Sequence, residues 1–304
     1  MLAGVVLLWF ILTAISVVLV AVDITRTPES PVMKWGFAII TAFTGPIGAF
    51  LYVLGCREPL PDSHERFVAV RWRQVLGSTM HCVAGDGLGI LAAAVVSRLL
   101  RLPTGWELSA EYLVGFLFGW TVFQGLFMRE MAGGSYATAL RHTLVPEFLS
   151  MNGVMAGMAP TMTLAMARLP GVSSPGSPGF WFIMSMALLA GFVLAYPVNW
   201  WLVETGLKHG MTTVRPRGRP VPLISGLFTT GAVLPPSTVG EHPSPEPAHH
   251  SLHRHSAATV DHPRTAAHRS RVGSREILIA SLITLALLAL ALTAALRYGS
   301  MPMA

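Results

Sequence analysis

The sequence predicts an all-α fold, a polytopic bundle of about seven transmembrane helices. Three observations carry this. Charged residues are 12% of the 304 residues and hydrophobic ones 52%, whereas soluble domains carry roughly 25% charged residues to cover their surface. Apolar runs of about 20 residues recur, the length that crosses a hydrocarbon core of about 30 Å at about 1.5 Å per residue. Lysine and arginine fall mainly in the connections between these runs, where bilayer orientation accounts for them. The net charge of +6 therefore implies no nucleic-acid partner, and no basic, aromatic-interleaved surface accompanies it. Cys56 and Cys82 are too few for a disulfide framework, and their spacing forms no zinc motif.

The first run, Leu2 to Val22, has no basic leader. It is longer than a signal-peptide core and has no small-residue cleavage site before Asp23, so it reads as a retained helix. Further spans are expected at Trp35 to Leu54, Val75 to Leu99, Ser109 to Met128, Thr143 to Ala167, Phe180 to Val203 and Ile277 to Leu296. With the long polar segment set aside, basic residues balance across the two sides. Lys208, Arg215, Arg217 and Arg219, at the end of the sixth run, then decide for a cell-membrane protein with a cytoplasmic N-terminus.

The chain divides into two N-terminal helices with their loop (1–70), a four-helix core (71–211), a Pro- and His-rich linker (212–275) and a C-terminal Ala/Leu anchor (276–304). The linker lacks apolar periodicity and cannot bury enough surface to offset its ordering entropy, so disorder is expected there. Its histidines, His242, His249, His250, His253, His255, His262 and His268, offer loose metal ligands without fixed geometry.

Chemistry concentrates in the core. On the third run Gly77, His81, Gly85 and Gly89 stack as one stripe, with Ser78, Cys82 and Asp86 beside it. Small residues admit a neighbouring helix, which would bury His81 and Asp86. Val75, Leu76, Val83, Leu91 and Ala94 are left to meet lipid. An intramembrane carboxylate is costly, so Asp86 is a functional candidate. On the fifth run Glu147 stands at the foot of a thioether column, Met151, Met155, Met158 and Met162. Gly153 and Gly157 form a separate packing face. Thioethers suit monovalent copper, and they also serve as flexible packing. Gln124, Asn152 and Asn199 supply polar bundle contacts, Gln124 and Asn199 at a depth comparable with His81 and Glu147. Pro197 predicts a kink, and Tyr196, Trp200, Trp201 and Lys208 suit an aromatic belt with its flanking anchor.

The strings STMHCVAGD at 78–86, FQGLFMR at 123–129, SMNGVMAGM at 150–158 and AYPVNWWLV at 195–203, with KHGM at 208–211, resemble the bacterial multi-pass membrane family catalogued as domain of unknown function 4396. The resemblance covers Arg71 to Met211. It implies class and location and carries no activity with it.

No phosphate-binding glycine loop, nucleophile elbow or zinc-protease motif is present, so no enzyme activity is predicted. The leading expectation is a protein that binds or transports a soft ion such as monovalent copper. His81, Cys82 and Met151, Met155, Met158 and Met162 would be its ligands, with Asp86 and Glu147 balancing charge or carrying protons. The alternatives are a proton-coupled carrier of another small solute and a non-catalytic accessory of a membrane or metal enzyme.

Overall fold

The computed structural model describes residues 2–60, 63–131, 134–210 and 272–299. Most of the expected linker, with its seven histidines, lies outside them. The regular structure of the described residues is all helical: α1 (Leu2–Asp23), a 3-10 turn (Ile24–Arg26), α2 (Pro31–Thr44), α3 (Pro46–Gly55), α4 (His64–Val68), α5 (Arg71–Leu99), α6 (Thr104–Phe118), a π-helical turn (Gly119–Gln124), α7 (Gly125–Met131), α8 (Tyr136–Arg168), α9 (Pro178–Glu204) and α10 (Ser274–Gly299). Ser30, Ser135 and Ser177 begin α2, α8 and α9, each hydroxyl accepting a backbone N–H of the first turn.

Among the described residues, five helical stretches are long and apolar enough to cross a membrane: Leu2–Arg26, Arg71–Leu99, Thr104–Arg129, Pro178–Glu204 and Ser274–Arg297. Helix α8, 33 residues long, runs beside α9 although polar groups dilute its apolarity. The expected second span does not cross. Its apolar run breaks at Gly45, where φ is 57° and Pro46 starts a new helix, and the chain doubles back. Phe37 and Tyr52 then meet across the hairpin with ring centroids 5.4 Å apart. The Tyr52 hydroxyl bonds Thr27 Oγ1 at 2.9 Å and Asp23 Oδ2 at 2.9 Å. Entry and exit of the α2–α3 hairpin thus lie on one side of the bundle.

Helix α5 is the axis of the fold. Its glycines admit neighbours as expected: a methyl added at Gly85 would strike Phe123, one at Gly89 the α6 backbone, and one at Gly87 Leu188 of α9. The face expected to meet lipid does not, because Val75, Leu76, Val83, Leu91 and Ala94 are all buried. Hairpin and bundle together enclose most of α5, leaving Ala92 and Val96 exposed. Gly153 and Gly157 of α8 pack against Ala195, Ala190 and Gly191 of α9, the close approach their spacing predicts.

Candidate functional site

A polar cluster is buried where α5, the π-turn, α8 and the end of α9 converge. Gln124 Nε2 approaches Cys82 Sγ at 2.7 Å, and Cys82 Sγ lies 3.4 Å from Glu147 Oε2. Asn199 Nδ2 donates to Ser150 Oγ at 2.9 Å and to the Ala195 carbonyl at 3.0 Å. Lys208 completes the set, with its Nζ 2.6 Å from Cys82 Sγ and 2.7 Å from Asn199 Oδ1. Asp86 and Glu147 are fully enclosed. Both carboxyls abut Gly119, and a side chain there would collide with each. Both oxygens of Asp86, and Glu147 Oε1, take no hydrogen bond from any other group among the described residues, and the two carboxyls lie within hydrogen-bond reach of each other.

Local chain chemistry places these groups. The π-turn inserts an extra residue into the helix, a distortion common at functional sites. It brings the bare Gly119 onto the carboxyls and Gln124 onto the thiol. Pro146 and Pro160 inside α8 and Pro197 inside α9 each remove a helix donor; Glu147 follows Pro146 directly and Asn199 stands two residues after Pro197. Lys208 enters because the chain reverses after α9. Gly206 takes φ 74°, and the Lys208 N–H returns to the Leu202 carbonyl at 3.0 Å, a helix-ending turn that only glycine makes at little strain.

Of the residues singled out in the sequence, Cys82, Asp86, Gln124, Glu147 and Asn199 come together. His81 turns to another face, against Phe123 and Phe127 with ring centroids 5.3 and 4.9 Å away. The methionines are all buried but lean on different neighbours: Met151 on Gly115 of α6 and Met158 on Gly191 of α9. Met162 lines a cavity of about 210 Å³ at the far end of the bundle. Asn152 accepts from Tyr112 at 2.8 Å and donates to Thr284 of α10 at 3.1 Å.

Sequence reasoning missed three participants. Lys208 read as an interfacial anchor, although the Gly206 that precedes it signals a reversal. Glu107 and Glu111 lie one turn apart on α6 and face that far cavity with Arg98. Arg98 pairs with Glu107 at 2.5 Å, while both Glu111 oxygens are buried without a partner. Between this cavity and the Cys82–Lys208 cluster, Ile90 and Met151 close on Gly115, so an apolar layer separates two polar regions.

No curated protein and no solved structure matches the chain. Residues 71–208 match the family model described as Domain of unknown function (DUF4396), and these are the residues that form the cluster, the apolar layer and the far cavity. Residues 71–208 of this helical membrane protein thus match the DUF4396 family.

Proposed function

We propose that the core is a proton-coupled carrier of a small solute, with Asp86 and Glu147 as the proton-exchanging pair. The observation that carries this reading is the pairing of two fully enclosed carboxyls at Gly119, within hydrogen-bond reach of each other and with oxygens that no other group partners. Two carboxylates against the single ammonium of Lys208 leave one buried negative charge unbalanced. Burying such a charge is costly, and one proton on the pair removes the imbalance. Carboxyls placed this way serve proton relays in transporters. The two polar regions separated by Ile90 and Met151 suit access from alternate sides. The soft-metal reading has less support. An ammonium already occupies the Cys82 sulfur, and the thioethers do not converge on one lumen.

Liposomes carrying the protein and an internal pH dye, challenged in turn with alkali cations, amino acids, carboxylates and sugars, test the proposal. One class should drive a pH change in wild type that Asp86→Asn and Glu147→Gln abolish. An equal change in both variants, or no change with any class, would overturn it.

The hairpin supports an orientation. Because α2–α3 turns back, Arg26, Lys34, Arg57, Arg66, Arg71, Arg73, Arg129, Arg141 and Lys208 share the side where Glu204 pairs with Arg71 at 2.6 Å. The opposite end carries Arg98, Arg101, Arg168 and Arg297. The positive excess makes the first side cytoplasmic. Trp9 packs against Phe182 near the start of α9, so this reading puts the N-terminus outside, where the charge count along the sequence puts it inside. A membrane-impermeant maleimide should label Ser174→Cys in whole cells and spare Arg66→Cys.

A further inference from the structure

At the mouth of the α2–α3 hairpin, outside the family domain, three side chains from separate segments meet. Glu29 precedes α2, Cys56 follows α3 and His64 opens α4. All three are buried, and one ligand atom from each lies within 4.8 Å of the other two. His64 Nε2 and Glu29 Oε1 are 3.1 Å apart. The remaining polar atoms, Glu29 Oε2 and His64 Nδ1, are enclosed without a hydrogen-bond partner. A surrounding frame fixes the approach: Tyr52 bonds Thr27 and Asp23, and Arg57 pairs with Asp23 at 3.3 Å.

We propose that Glu29, Cys56 and His64 bind a divalent transition ion of the zinc class. The donor set selects the ion. A thiolate and an imidazole do not suit magnesium or calcium, which take oxygen ligands, whereas sulfur, nitrogen and carboxylate oxygen together suit zinc. Zinc bonds of about 2.0–2.3 Å place tetrahedral donors about 3.5 Å apart, so small side-chain movements close the present spacing. On binding, the Cys56 thiol gives its proton to solvent and its sulfur bonds the ion. Three protein ligands leave a fourth position for water or a solute. The ion would tie the start of α2, the end of α3 and the start of α4 together, pinning the hairpin against α5.

The test uses the full chain with His242, His249, His250, His253, His255, His262 and His268 replaced by Gln, which removes loose binding by the linker. After removal of adventitious metal and addition of Zn2+ alone, about one ion per chain should remain through gel filtration, as expected of a site with three protein ligands. Cys56→Ser and His64→Gln should each reduce this to near zero, while Cys82→Ser should retain it. A second measurement needs no variant of the site. Zn2+ should protect Cys56 from alkylation as mapped by mass spectrometry, and Co2+ in its place should give thiolate-to-metal absorption. Zinc retained in full by Cys56→Ser, zinc lost through Cys82→Ser, or a Cys56 alkylated equally with and without Zn2+ would overturn the proposal.

Discussion

Helices α5 and α10 have similar lengths, 29 and 26 residues, and meet opposite surroundings. Two thirds of the apolar window of α5 is enclosed by protein, 67%, against 11% of that of α10. Yet α10 is the more apolar helix and α5 carries His81, Cys82 and Asp86. Lipid tails are as apolar as leucine, so no hydrophobic force draws α10 inward. What earns an interior place in a bilayer is the need of polar groups for partners, together with glycines that let backbones approach. Helix α5 has both. Helix α10 buries one polar side chain, Thr284, with Leu288 and Ala295, and leaves Leu278, Leu282 and Leu290 exposed.

The comparison is most strongly tested by removing the charge that balances the interior. Lys208→Met leaves Asp86 and Glu147 enclosed without an ammonium nearby, and an uncompensated buried charge costs about 3–5 kcal/mol. Thermal unfolding in detergent should drop sharply for the single variant, and adding Glu147→Gln should recover most of the loss. On α10, Leu290→Ala should leave the midpoint unchanged. Equal midpoints for the single and double variants would mean that Lys208 does not answer the carboxyls.

A smaller effect is expected from crowding the same place. Gly119→Ala puts a methyl where both carboxyl groups lie, and overpacking typically costs about 1–3 kcal/mol. Gly4→Ala on α1, which meets nothing within 4 Å, supplies the control and should be neutral. If the two alanines behave alike, the π-turn is looser around the carboxyls than its geometry implies.

Much of the interior was legible because charge inside an apolar run is conspicuous. Asp86 and Glu147 stood out on that ground, and the glycine spacing of α5 and α8 gave their close neighbours. The burial of Val75 and Leu91 was not legible, because periodicity separates polar from apolar faces but cannot tell lipid from protein when both are apolar. The hairpin was misread for length alone. Residues 35–54 suffice to span, and only the Gly45–Pro46 pair marked the reversal. Lys208 and the Glu29–Cys56–His64 set depend on chain reversals that join distant segments, and no local spacing records them.

The smallest effect should come from the single side chain by which α10 engages the polar interior. Thr284 accepts from Asn152 Nδ2 at 3.1 Å, and Asn152 also accepts from Tyr112. Thr284→Val keeps shape and removes the hydroxyl. Interhelical hydrogen bonds within membranes average about 0.6 kcal/mol in double-mutant measurements, so the thermal midpoint should fall only slightly. Asn152→Leu removes both contacts and should cost more, since the Tyr112 hydroxyl then loses its partner. If α10 were held chiefly by polar contacts, Thr284→Val would release it, and a cross-link between Leu149→Cys and Ile283→Cys, two positions lining one groove between α8 and α10, would form less readily. An undiminished cross-link is the expected result, because α10 stays in the bilayer through its own apolar surface and rests against α8 by packing.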